Sequence, residues 1–156
     1  MSEWIYKKQK IIVPPEHAIG FVYMIKNKIN NKKYFGQKVL FNKITKKPLK
    51  GKNNKRHFKV QSDWIFYFGS CEELKKDIQL YGEDNFDRII LLFVDSKVLL
   101  NYFETWIQMY YGVLFKPNEF YNGIINCRIS RSQIISKVNN IYNLEKEIMS
   151  EISLDI

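Results

Sequence analysis

Two short apolar and aromatic runs, Gly20–Ile25 and Tyr34–Gly36, flank a polar insert, NKINNKK. The Asn and Lys residues of the insert are turn chemistry, so residues 20–38 are predicted to form a β-hairpin. Alternation along a strand assigns each side chain a face, and a hairpin of this length can bring Tyr23 and Tyr34 together. Ahead of it, WIYKKQKIIV predicts a short strand that stops at Pro14-Pro15, since neither proline donates to a ladder. Residues 39–62 show no period and contain the breakers Pro48, Gly51 and Asn53-Asn54. They are expected to form a long loop, of the kind that in a compact domain is functional or mobile.

Beyond residue 62 the pattern changes. Trp64, Phe66 and Phe68 alternate as in an extended segment. Ser70 and Glu73 have capping-box spacing, Leu74, Ile78 and Tyr81 follow at helical spacing, and Gly82 suits the position after a helix. FDRIILLFV (86–94) has the composition and length of a buried strand. Asp95 or Ser96 then caps a helix over 97–111, closed by Gly112. FYNGIINCRI (120–129) is expected to be extended. Ile134, Val138, Ile141, Ile148 and Ile152 form a stripe that predicts one long helix over 131–153. This order implies an α+β fold, a small antiparallel or mixed sheet with helices packed on it. The expected divisions are a lead-in over 1–17, a main domain over 18–129 with a basic loop at 39–62, and a helical tail over 130–156.

Charge adds a partner. The net charge is +9, and residues 17–62 hold 13 Lys/Arg with no Asp or Glu, while 63–156 hold 9 Lys/Arg against 14 Asp/Glu. A basic field around the hairpin attracts polyanions, of which nucleic acid is the commonest. The competing interpretation is a solvated lysine-rich surface. No apolar run is long enough to span a membrane. The N-terminus lacks the apolar core of a secretory signal, and Cys71 and Cys127 form neither a disulfide framework nor a zinc spacing. A reducing cytoplasm is the expected compartment.

FVY (21–23) followed by YFG (34–36) resembles the paired signature of the GIY-YIG nucleases, with Phe21 at the place of the first Gly and Phe35 at that of the Ile. The intervening IKNKINNKK resembles the hairpin of phage homing endonucleases. The resemblance continues through SDWIFYFGSCEELKKDIQLYGEDNFDRIIL, YFETWIQ and FYNGIINCRI, and covers about residues 20–129. It implies a three-stranded, largely antiparallel sheet flanked by helices.

The resemblance also implies site residues. Phosphodiester hydrolysis needs a base for water, charge stabilisation of the transition state and, in most such enzymes, a metal. Glu104 matches the metal-binding Glu, and a lone carboxylate with waters and phosphate oxygens suits Mg²⁺ (or Mn²⁺). On a helical wheel, Glu104 shares a face with Lys97, Asn101, Thr105 and Gln108, so it also fits a charge on a solvent face. Tyr23 matches the tyrosine assigned as general base, and Tyr34 would hydrogen-bond the water or the phosphate. A phenol ionises near pH 10, so Tyr23 needs nearby cations for that role. Without one, both tyrosines are core residues. The family's phosphate-binding Arg has two candidates here, Arg56 in KRHFK and Lys38. His57 is either a proton-transfer group or an ordinary loop residue. Asn122 matches an Asn that orders the metal site, although Asn-Gly is also a common turn pair.

The expected function is therefore a metal-dependent DNA endonuclease of the free-standing phage homing type, acting in the cytoplasm of a bacterial host. One site cuts one strand, so it would work as a homodimer or by sequential nicks as a monomer. The alternative is a catalytically inactive DNA-binding protein on the same scaffold. An RNA-binding module lacks any RNP-like motif.

Overall fold

A computed structural model describes residues 2–136 and 141–153. The chain opens with a tight hairpin, β1 (Trp4–Tyr6) and β2 (Gln9–Lys10), turned by Lys7 and Lys8, both at positive φ. The predicted hairpin follows as β3 (Gly20–Asn27) and β4 (Lys33–Val39). Its turn is held by two side chains that mimic backbone: Asn27 Oδ1 accepts from Ile29 N and Asn30 Oδ1 from Lys32 N, each at 2.9 Å.

Residues 39–62 differ from the expected loop. They form a second hairpin, β5 (Phe41–Lys46) and β6 (Arg56–Gln61), whose strand residues are all exposed. Neither face of this ribbon meets a core, so nothing selects the alternation by which a half-buried strand is recognised. Trp64–Phe66 is a single 3-10 turn rather than an extended segment. α1 (Glu72–Tyr81) begins after Cys71, with no side-chain cap. The expected capping pair is drawn elsewhere: Ser70 Oγ lies 3.4 Å from the Tyr34 hydroxyl, and Glu73 pairs with Lys32.

β7 (Phe86–Val94) and α2 (Lys97–Tyr110) match their predicted bounds, and Ser96 caps α2 by accepting from Leu99 N. Residues 120–129 form no strand; Phe120 alone bridges to Lys33. The tail is not one helix, because α3 (Arg131–Ile134) ends in a turn and α4 (Ile141–Ser153) is separate. Val138 lies outside the described residues.

The fold is α+β as expected, but the main sheet has five strands in the order β2-β1-β7-β3-β4. β7 is central; β3 lies between β7 and β4 and is antiparallel to both, while β1 runs parallel to β7. The N-terminal hairpin supplies the two extra strands. α4 secures it: Lys7 N donates to Glu151, and Tyr6 and Lys7 both bond Glu147.

Both faces of the sheet are covered. α2 and α4 pack on one, around Val22, Met24, Phe35 and Phe103; α1 and Trp4 pack on the other, around Phe21, Tyr23, Trp64 and Leu74. Double coverage explains why β3 reads as a continuous apolar run rather than an alternating one. The strand order leaves β4 at one edge of the sheet, and the candidate functional residues gather along that edge.

Candidate active site

Tyr34, Gly36 and Lys38 project from one face of β4, toward Tyr23 on β3. Tyr23 lies opposite Gly36 in the ladder, and the β3–β7 pairing shifts register between Val22 and Tyr23. Such irregularities re-aim side chains. The Tyr23 and Tyr34 rings lie 6.1 Å apart, and Tyr67 packs edge-on against Tyr23, also at 6.1 Å. Gly36 makes the cluster sterically feasible. A Cβ built there would stand 2.5 Å from Tyr23 Cζ and closer still to its hydroxyl oxygen.

Burial pushes the Tyr23 phenol well above its usual pKa, and the neighbouring Tyr34, Tyr67 and Glu104 push it the same way. Tyr34 is raised by burial too, against a lowering hydrogen bond from Ser70. In the protein alone, both hydroxyls therefore hold their protons at neutral pH. Lys38 stands with this cluster: its ammonium is 3.7 Å from the Tyr67 ring centroid and 2.6 Å from Asp63 Oδ1.

The other face of β4 meets α2. Gln37 Nε2 donates to Asn101 Oδ1 at 2.9 Å, and Gln108 Nε2 to Phe35 O at 3.2 Å. The polar side of α2 is thus turned onto the β4 edge rather than to open solvent. Glu104 sits there, half-buried. Burial raises its carboxyl to about 7, against lowering hydrogen bonds from Gln37. It belongs to none of the ion pairs among the described residues.

Residues 119–122 clamp the outer edge of β4. Lys33 N donates to Glu119 O at 2.9 Å and Tyr121 N to Lys33 O at 2.8 Å. Asn122 continues the clamp with its side chain: Oδ1 accepts from Phe35 N at 2.9 Å and Nδ2 donates to Phe35 O at 2.8 Å. Its amide is committed to holding the YFG strand, which makes it a positioning residue in this geometry. Tyr121 donates to Asp77 at 2.6 Å and accepts from Asn27 at 2.8 Å, so α1, the hairpin turn and the clamp are joined.

A cleft of about 540 Å³ opens where these parts meet, lined by Tyr34, Ser70, Glu72, Glu73, Glu104 and Asn122 among others. Its lining includes three carboxylates and no Lys or Arg. A phosphodiester needs a cation to enter such a place. No group of three or more His, Cys, Asp or Glu stands ready to share a metal among the described residues. The residues present fit a cation held by one carboxylate, Glu104, whose charge no ion pair among the described residues matches. That suits Mg²⁺, which keeps most of its waters.

The structure thus gathers Tyr23, Tyr34, Lys38, Glu104 and Asn122. It does not bring Arg56 or His57 to the cleft. Both are on the exposed β6 strand, Arg56 Nε 3.4 Å from Lys47 O and His57 Nδ1 3.1 Å from Thr45 Oγ1. The ribbon carries them away from β4, so proximity in sequence misleads here. Tyr67, Gln37 and Gln108 were not singled out from the sequence. Tyr67 lies within the matched stretch that begins SDWIFYFGS; neither glutamine carried a signal beyond lying near a candidate residue.

The site thus combines a tyrosine pair on the edge hairpin of an α+β sheet with a carboxylate on the facing helix. The family model described as "Putative endonuclease segE, GIY-YIG domain" matches residues 4–125, and the chain belongs to this GIY-YIG endonuclease family. No curated protein and no solved structure matches the chain. Among the described residues no helix is long and apolar enough to cross a membrane.

Proposed function

We propose that the protein is a metal-dependent endonuclease that hydrolyses DNA phosphodiester bonds, of the free-standing homing type. The observation that carries this reading is Glu104: a half-buried carboxylate with no cationic partner among the described residues, lining a cleft beside Tyr34. Glu104 would hold Mg²⁺ or Mn²⁺, which when bound supplies positive charge to phosphate oxygens and to water.

The chain's own residues divide the remaining work. Tyr34 lines the cleft and is positioned to hydrogen-bond the attacking water or the phosphate. Tyr23, behind it, is the candidate base; its raised pKa means that it accepts a proton only once positive charge enters the cleft. Lys38 takes the place expected of Arg56 as the cation beside the tyrosines. Asn122 and Gln108 fix the Phe35 backbone and thereby the strand that presents Tyr34 and Gly36. A single site of this kind cuts one strand, so double-strand breaks require a homodimer or two successive nicks.

The second reading is an inactive DNA-binding protein on this scaffold. It is favoured by the absence of any Arg or Lys from the cleft lining. Incubation with supercoiled plasmid in Mg²⁺ and in EDTA separates the two. Nicking in Mg²⁺ alone supports the nuclease; retention of the plasmid without nicking in either buffer supports the binder.

A further inference from the structure

The β5–β6 ribbon has no role in the cleft, yet it is the most strongly charged part of the molecule. It pairs only with itself, in six cross-strand pairs from Phe41↔Gln61 to Lys46↔Arg56. An isolated two-stranded hairpin is marginally stable at best, and like charges directly opposite one another weaken it further. This ribbon has two such pairs, Lys43 opposite Lys59 and Lys46 opposite Arg56. Between residues 41 and 61 there are eight Lys/Arg and no Asp or Glu. None of the eight is in an ion pair among the described residues. Phe58 and Ile44 are 42% and 40% exposed on one face, with Lys46 and Arg56 stacked over the Phe58 ring. Nothing among the described residues offsets this charge, which identifies the occupant by complementarity as an external polyanion.

We propose that this ribbon is the DNA-reading arm of the protein, and that it lies in the major groove of a B-form duplex. The proposal rests on the DNA-directed reading above. The major groove, about 12 Å wide, admits a two-stranded β-ribbon, and six residues per strand reach about 20 Å. In that position the lysines meet phosphates on both walls. Arg56 offers a guanine its two-pronged donor, and the exposed methyl-rich and aromatic side chains suit thymine methyls. Arg56 and His57 then serve recognition, which accounts for their distance from Glu104.

The arm can be removed without touching the core. Its ends are tied together by Ser62 N donating to Leu40 O at 2.9 Å, and Leu40 is anchored by its own bond to Ile19 O. The test measures binding of a 30-base-pair DNA duplex by fluorescence anisotropy in EDTA, across salt concentrations. Three proteins are compared: the full chain, the chain with 41–61 replaced by Gly-Gly, and the full-length quadruple variant Lys43→Ala, Lys46→Ala, Arg56→Ala, Lys59→Ala. The quadruple variant changes only exposed positions, so it keeps the test decisive if the excision impairs folding. Each phosphate contact contributes about 0.9 to the slope of log K against log salt, so loss of the three lysine contacts in the quadruple variant should flatten it by about 2.7. Affinity near 100 mM salt should drop at least tenfold. A duplex RNA of equal length, whose deep narrow major groove excludes the ribbon, should compete poorly.

An unchanged slope and affinity would overturn the proposal, as would equal competition by the RNA duplex. So would arm-dependent capture by anionic lipid vesicles with no arm dependence on DNA. Because no cleavage is read, the two claims fail separately. Arm-dependent binding without nicking removes the nuclease and leaves the arm. Nicking by a protein whose affinity ignores the arm does the reverse.

Discussion

Asn122 and Phe35 exchange two hydrogen bonds, amide side chain against main chain, at 2.9 and 2.8 Å. Through this pair a residue outside the sheet supplies what a sixth strand would have supplied to β4. Replacing Asn122 by Ala leaves the buried Phe35 N–H with no acceptor, at a cost of about 1–3 kcal/mol. The Phe35 carbonyl keeps its bond from Gln108, so Gln108→Ala should cost less. Urea unfolding of the two variants measures both. A residue acting only as a metal ligand would leave the stability of the metal-free protein unchanged when removed.

Gly36→Ala tests the tyrosine cluster. The added methyl overlaps Tyr23, which is 1% exposed and cannot swing away. Overpacking of this kind costs about 1–3 kcal/mol. Tyr23→Phe should not rescue it, because the clash includes Cζ as well as the hydroxyl. Unfolding midpoints of the single and double variants decide this, and rescue by Phe would show that the ring is placed elsewhere.

Glu104 makes stability depend on pH in a direction opposite to that of a salt-bridged acid. Its folded pKa, about 7, lies above the 4.5 of an ordinary Glu. Between those values the folded protein keeps a proton that the unfolded chain has released. Stability is therefore highest below about 4.5 on this account, falls as pH rises through about 7, and is level above that. The fall is at most about 3 kcal/mol. Glu104→Gln should abolish it, and Mg²⁺ should stabilise the native protein more at pH 8 than at pH 5.5. Urea unfolding at the two pH values, with and without Mg²⁺, reads both effects.

Arg88 supports the site from behind. It is 2% exposed in mid-β7 and donates to Ile65 O at 2.8 Å, Tyr67 O at 3.2 Å and Ser2 O. Its guanidinium is packed between Trp4 and Phe68, and burial lowers its pKa to about 10. Lys cannot reproduce the fork. Arg88→Lys should destabilise the protein by about 2–4 kcal/mol and loosen the Tyr67 main chain, seen as faster amide exchange at residues 65–68. A change below 0.5 kcal/mol would contradict the role given to it.

What was legible in the sequence follows from what each segment packs against. β3, β4, β7 and α2 carry their own patterns, because each buries a definite face or is buried entirely. The β5–β6 ribbon buries no face, and its register is set by pairing that leaves no trace in periodicity. The pairing of β1 with β7 spans more than eighty residues, and nothing local in WIYKKQK announces it. Ser70 and Glu73 carried a valid capping signal that lost to tertiary partners, Tyr34 and Lys32. Tyr23, Tyr34, Glu104 and Asn122 were found as candidates because they stand in motifs. Arg88 was the one basic residue in an apolar strand, a visible sign of a buried cation that motif reading passed over.

The most direct test of the central claim compares the native protein with Glu104→Gln on supercoiled plasmid in Mg²⁺, with duplex binding measured alongside. The account predicts nicking or linearisation by the native protein and none by the variant, at unchanged affinity for DNA. Equal cleavage by the two proteins would contradict the assignment of Glu104 and of the cleft, and no cleavage by either would contradict the nuclease itself.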